Sequence, residues 1–133
     1  GDRVLKEFAE RMKDTFRPYD LVSRYGGEEF VVCCTSLESE PESIFERFRG
    51  AIESTPFLDK DLSLGITVSI GIATFDGIST MATKEIMLGL ISDSDKALYA
   101  AKKSGRNQVV MYQPNQHTEC EQPEEMLNDG QIC

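Results

Sequence analysis

Apolar positions recur at helical spacing over residues 2–16. Val4, Leu5, Phe8, Met12 and Phe16 share one face, and Lys6, Glu7, Glu10, Arg11 and Lys13 fill the other. This predicts an amphipathic helix ended by Pro18, because proline disfavours helix in the residue before it. Leu21-Val22-Ser23 and Val31-Val32-Cys33-Cys34 flank Gly26-Gly27. Two such runs joined through glycines read as a β-hairpin, with Gly26 and Gly27 supplying the positive φ angles of a two-residue turn. A turn over 35–40 precedes a second helix running to about Ser54. Ser39 with Glu42 fits a capping box, Pro41 a first helical turn, and Ile44, Phe45, Phe48, Ala51 and Ile52 an inward face.

Pro56 and Asp59-Lys60-Asp61 predict a loop. Residues 65–74 then alternate, with Ile66, Val68, Ile70 and Ile72 on one side and the small Thr67, Ser69, Gly71 and Ala73 on the other. That is the pattern of a central strand with something packed close on its small side. A loop at 76–83 and a short helix over 84–90 follow. Ser92 and Asp95 fit a second capping box, opening a helix through about Ser104 with Ile91, Ala97, Leu98 and Ala101 buried. Gly105 suits the position past the helix end, and 107–112 reads as a last strand. The order helix, hairpin, helix, strand, helix, strand predicts an α+β domain, a mixed sheet with helices on one face.

Composition narrows the function. The 133 residues suit one domain, and 40% hydrophobic residues suffice for a core. No apolar run approaches the roughly 18 residues of a membrane span, and no signal peptide stands out. The net charge is −9, which disfavours a nucleic acid polymer as partner. Residues 113–133 carry Glu119, Glu121, Glu124, Glu125 and Asp129 and no Lys or Arg. That acidic, polar stretch reads as a disordered tail behind a domain spanning 1–112. Cys33, Cys34, Cys120 and Cys133 lack metal-ligand spacing, and His117 is the only histidine. Reduced thiols, and with them a cytoplasmic setting, are expected, and no zinc site.

The candidate chemistry lies in Arg24-Tyr25-Gly26-Gly27-Glu28-Glu29-Phe30. Two carboxylates adjoin a turn without side chains, where a ligand can approach the main chain. Carboxylates are hard ligands for Mg²⁺, which usually arrives with phosphates. The bland alternative is an ordinary hairpin tip with Arg24 paired across to Glu29.

Several stretches coincide with one family. Gly26-Gly27-Glu28-Glu29-Phe30 resembles the signature of the GGDEF diguanylate cyclases in its GGEEF form. Arg17-Pro18-Tyr19-Asp20 resembles the family's RxxD inhibitory site. Val68-Ser69-Ile70-Gly71-Ile72-Ala73 resembles its central strand. Asp95-Lys96-Ala97-Leu98-Tyr99-Ala100-Ala101-Lys102, followed by Gly105-Arg106-Asn107, resembles its closing signature, and Gly1-Asp2-Arg3-Val4-Leu5 the start of the helix before the hairpin. The resemblance covers residues 1–112.

It implies a palm-type, ferredoxin-like nucleotidyl cyclase fold with a mixed, mainly antiparallel sheet. It implies a nucleotidyltransferase that joins two GTP into cyclic di-GMP with release of two pyrophosphates, across a homodimer of such domains, with Mg²⁺ or Mn²⁺. By matched position, Glu28 is the metal ligand and assists deprotonation, and Glu29 is the second catalytic acid. Gly26 and Gly27 give the nucleotide room, Asp2 reads the guanine edge, and Lys102 and Arg106 hold the β- and γ-phosphates. Arg17 and Asp20 bind inhibitory cyclic di-GMP, helped by Arg47 from a neighbouring domain, with Arg49 the competing choice. Asp95 reads as a cap rather than a ligand. The family's first strand, with a metal-binding aspartate, has no counterpart after Gly1, so the chain reads as the C-terminal two-thirds of such a domain, inactive alone, from a parent whose membrane attachment is open. The alternative reading is a catalytically incompetent GGDEF domain that senses cyclic di-GMP through the RxxD site.

Overall fold

The computed structural model describes residues 2–35, 40–75, 77 and 79–114. Helix α1 spans Asp2–Thr15. Strands β1 (Leu21–Gly26) and β2 (Glu29–Cys33) form the expected antiparallel hairpin, and α2 spans Pro41–Ser54. Glu40 is the N-cap of α2 and makes no side-chain capping bond; Pro41 opens the helix. The expected cap at Ser39 lies outside the described residues, as does the tail from residue 115.

Four expectations change. Phe57–Asp59 (β3) and Leu62–Leu64 (β4) form an antiparallel hairpin where the polar stretch predicts a loop. Lys60, at φ 55°, turns it, a conformation that the polarity of residues 59–61 does not announce. The long alternating strand shrinks to β5 (Ile70–Ile72), which pairs in parallel with β6 (Val109–Met111). Residues 65–69 keep the alternation but have no ladder. Residues 83–103 form one helix, α3 (Thr83–Lys103), so Ser92 and Asp95 are interior and cap nothing. Finally, helices cover both faces of β5 rather than one.

The core explains that last point. Met12, Phe16, Phe45, Phe48, Ile52, Phe57 and Ile72 form one buried cluster, with Ile66, Val68 and Ile70 packed against it. The isoleucine face of the 66–72 segment therefore meets α1 and α2, whereas Ala51, expected inward, is exposed. Aromatic contacts join the elements: Phe8 to Phe30 and Phe48, and Phe16 to Phe45 and Phe48, at centroid separations of 5.2–5.6 Å. Arg11 bonds Glu7, donates to the Thr55 and Pro56 carbonyls, and lies 3.8 Å over the Phe57 ring. It seats β3 against α1.

The small face meets α3. A Cβ at Gly71 would overlap the Ser94 carbonyl oxygen and the Leu98 amide nitrogen, and would lie 2.8 Å from Leu98 Cα. The backbone of α3 thus rests directly on β5, and Ala97, Leu98 and Ala101 are buried beside it. The described strands form three separate pairs, β1–β2, β3–β4 and β5–β6. Between the first and last pairs lies a cavity of about 1860 Å³, with Val4, Phe8, Phe30, Val32, Val68 and Leu98 in its walls. No described helix is long and apolar enough to cross a membrane.

Gly71→Ala should destabilise the fold by roughly 3 kcal/mol, the upper range for overpacking, because backbone atoms cannot rotate away. Urea unfolding checks this; an unchanged midpoint would mean that α3 does not sit this close.

Candidate active site

The hairpin presents its two acids differently. Gly26 pairs with Glu29, so the turn residues are Gly27 and Glu28, not Gly26 and Gly27. Only Gly27 of the two glycines has positive φ, 54°. The register slips between Arg24 and Gly26, so Arg24 stands opposite Phe30 rather than Glu29. Its guanidinium instead grips the Gly27 carbonyl through Nε at 2.9 Å and Nη2 at 2.6 Å, locking the turn. Glu28 is exposed on it.

Glu29 is the first residue of β2, and strand alternation separates it from its neighbour. Phe30 and Val32 pack on the aromatic cluster. Glu29 turns the other way, is 6% exposed, and its Oε1 has no hydrogen-bond partner. Burial raises its pKa; Lys102 offsets part of this and Asp95 adds to it. A buried carboxylate with an unpartnered oxygen is costly until a cation or donor reaches it.

Helix α3 supplies the opposite charge. Asp95 and Lys102 are seven residues apart, two turns along one helix face. Arg106 follows in the turn after the helix. Its amide donates to the Ala101 carbonyl at 3.0 Å, the closing bond of a Schellman-type end, with Gly105 at φ 117°. The charged lining of the cavity is Glu28, Asp95, Lys102, Lys103 and Arg106, and Gly27 lines it too. Gly27 and Glu28, far in sequence from Lys102, Lys103 and Arg106, thus share one cavity with them. Asp95, read as a cap, joins them; its seven-residue spacing from Lys102 was the available signal. Asp2 is exposed at the start of α1 and Gly26 is exposed on β1; neither lines the cavity, although Val4 and Leu5 do.

A second constellation lies at residues 17–20. Asp20 is 9% exposed; one oxygen accepts from the Arg17 amide at 2.8 Å and the other has no partner. The Asp20 amide donates to the Arg17 carbonyl at 3.0 Å, and Arg17 Nη1 donates to Tyr19 Oη at 2.8 Å. This is a closed turn with a buried acid, not a loose surface pair. Cys34 lies near it, its thiol pushed up to about 11 by burial first and by Asp20 next. Neither Cys33 nor Cys34 is bonded to another cysteine. On α2, Arg47 is exposed, whereas Arg49 is spent internally on Glu46, Glu53 and Asn107. That separates the two arginines the sequence left in competition.

No group of three potential metal ligands occurs among the described residues. Mg²⁺ does not demand one, since it is commonly held by one or two carboxylates plus substrate phosphates. Glu28, with the unpartnered oxygen of Glu29 beside it in sequence, fits that donor chemistry.

Glu28 on a glycine turn and the cations at and just past a helix end thus line one cavity of an α+β domain. The chain belongs to the family described as diguanylate cyclase, GGDEF domain, whose profile matches residues 1–108. It is 40% identical over 111 residues to the diguanylate cyclase DgcP of Pseudomonas aeruginosa, covering 82% of this chain and 16% of that protein. The GGDEF domain of DgcB from Caulobacter crescentus, solved in complex with c-di-GMP, superposes with a TM-score of 0.66 at 29% identity, over 84% of this chain and 64% of that one. The active GGEEF domain of a diguanylate cyclase from Vibrio cholerae superposes at 0.67 and 25% identity, over 84% and 68%. The cyclase-type α+β fold read from the motifs is therefore correct.

The pKa direction at Glu29 has a consequence. A carboxylate raised in the folded state contributes stability that is complete below the ordinary carboxylate range, about pH 4.3, and is lost as pH rises through the folded pKa. Glu29→Gln does not titrate. It should be more stable than the native chain at pH 7, with the difference closing below about pH 4. Parallel stability profiles from urea unfolding between pH 3 and 8 would contradict the assignment.

Proposed function

We propose that this domain catalyses the condensation of two GTP into cyclic di-GMP, as part of a diguanylate cyclase. The observation that carries the reading is the shared cavity, whose lining includes Gly27 and Glu28 together with Lys102 and Arg106. The similarity to proteins named as diguanylate cyclases supports it.

In this reading Lys102 and Arg106 hold the β- and γ-phosphates. Lys102 acts as a point charge and Arg106 as a planar fork. Gly27 lets the nucleotide approach the turn, with Gly26 preceding it. Asp2, at the start of the helix whose Val4 and Leu5 line the cavity, accepts from the guanine N1–H and 2-amino group. Glu28 holds Mg²⁺ or Mn²⁺ with Glu29, and that ion, when bound, neutralises phosphate charge. Glu28 also takes the proton as a 3′-hydroxyl attacks the α-phosphorus. The bond from the α-phosphorus to the bridging oxygen breaks and pyrophosphate leaves. One domain carries one GTP, so two domains face each other as a homodimer. Cyclic di-GMP inhibits at Arg17 and Asp20, with Arg47 given by a neighbouring domain; the exposure of Arg47 and the internal engagement of Arg49 support that choice. The site works in the cytoplasm, where GTP is available.

In the full-length protein, Glu28→Ala should lower cyclic di-GMP formation from GTP and Mg²⁺ by about 10²–10⁴-fold, the range for a lost proton-transfer group. Chromatography of the nucleotides reads this; wild-type turnover of ATP but not GTP would refute the substrate. Arg17→Ala should raise the cyclic di-GMP concentration for half-inhibition about tenfold or more, the scale of a lost charge-assisted contact. An unchanged inhibition curve would remove Arg17 from that site. Residues 1–133 alone, with the hairpin and the β5–β6 pair unjoined, should not turn over. Cyclic di-GMP made by that chain as a cooperatively folded monomer would overturn this.

A further inference from the structure

Arg106 sits in an unusual stretch of backbone. Gly105, Arg106 and Asn107 all have positive φ, at 117°, 63° and 49°. Glycine takes such angles freely, but residues with side chains resist them, Asn least. Two successive side-chain-bearing residues in this region persist only when their surroundings fix them. The Schellman-type bond to Ala101 fixes the near side of Arg106.

The far side is fixed from α2. Arg49 Nη1 donates to Asn107 Oδ1 at 2.8 Å, and Asn107 Nδ2 donates to Glu53 Oε1 at 2.8 Å. The Asn107 amide donates to Ser69 Oγ at 3.1 Å. Arg49 also holds Glu46 and Glu53, and its side chain is only 16% exposed. The pKa of Glu53 is lowered by Arg49 first and Asn107 second, so the acceptor stays charged. Every polar group of the Asn107 side chain has a defined direction. Arg106 itself remains exposed and lines the cavity.

We propose that Arg49, Glu53 and Asn107 form a clamp that positions Arg106 for the terminal phosphates of the nucleotide. The proposal rests on the cyclase reading, which supplies the triphosphate. These three are positioning residues: they touch no ligand and act by holding a left-handed turn that would otherwise relax. Helix α2 thereby reaches the phosphate end of the site without lending it a side chain.

The hydrogen-bond directions can be reversed. Asn107→Asp sets a carboxylate oxygen against Glu53 and breaks the clamp. Adding Glu53→Gln restores a donor facing an acceptor, while the introduced carboxylate still accepts from Arg49. Asn107→Gly keeps the left-handed backbone accessible but deletes both side-chain bonds. The measurement is calorimetric affinity of the full-length protein for 3′-deoxy-GTP with Mg²⁺, beside GMP, which lacks the terminal phosphates.

N107D and N107G should each weaken the triphosphate about tenfold, the scale of one charge-assisted contact, and leave GMP within about twofold. N107D/E53Q should recover to within about threefold of wild type. In an Arg106→Ala background N107D should cost nothing further, since the residue it positions is gone. Equal weakening of GMP and triphosphate, no recovery in the double variant, or an additive loss on Arg106→Ala would each overturn the clamp. The controls are Lys102→Ala and Arg106→Ala. If neither weakens the triphosphate, the phosphate reading falls and the clamp with it. If both do while N107D and N107G do not, only the clamp falls.

Discussion

The contact of α3 with Gly71 sets the geometry on which the site depends. With no Cβ in the way, the helix lies backbone to backbone on β5. A helix fixed that closely at Ser94 and Leu98 has little freedom one turn later. Ala97 and Ala101 keep the contact shallow along its length, and both are buried. Lys102 is therefore held at a defined height above the sheet, and the turn carrying Arg106 begins from a fixed helix end. A larger residue at 71 would lift the cationic end of α3 as a lever, moving charge that a flexible loop could not have aimed.

Against that fixed end, adjacent glutamates do opposite things. Strand alternation, not residue type, decides this. Glu28 is in the turn and meets solvent; Glu29 has entered the ladder and is buried with an oxygen unpartnered. The first can exchange water for a ligand cheaply. The second carries electrostatic tension that a nearby positive charge relieves. Lys102 relieves part of it, and Asp95 works against that relief. In a chain of net charge −9, the cavity thus brings Lys102, Lys103 and Arg106 together, with Glu28 and Asp95 in the same lining.

Much of this was legible in order and kind. Helical spacing located α1 and α2, and the small face of 67–73 announced the close neighbour that α3 is. What local pattern cannot carry is the identity of the partner. The alternation over 65–74 is real, yet only Ile70–Ile72 finds a ladder, because a strand is defined by its neighbour and residues 65–69 have none among the described strands. The β3–β4 hairpin hid because Leu58 and Leu62 are exposed, so their apolarity marks no core. Ser92-x-x-Asp95 imitates a capping box, but buried Ala97, Leu98 and Ala101 stabilise helix on through it, and tertiary contact outweighs a capping signal. At the site, Glu28, Lys102 and Arg106 were legible through motif. The burial of Glu29 and the divided fates of Arg47 and Arg49 were not, since two arginines on one helix differ only by what stands opposite them.

The cavity and the candidate site are not separate features. Its apolar walls belong to the hairpin, α1 and the 66–72 segment, while its charged lining comes from the turn and the end of α3. The outer edges of β2 and β5 that flank it have no described strand partner, and unpaired edges are templates for another strand. Any strand bonding to both edges would fix the separation of β2 from β5. Glu28 and Glu29 ride at the head of β2, and Lys102 rides on the helix seated on β5. The distance between these carboxylates and the cations of α3 is therefore governed by what joins the two pairs. Such a link makes the geometry of the charged lining a property of sheet closure, so that folding of the apolar interior and the placing of these charges are one event rather than two.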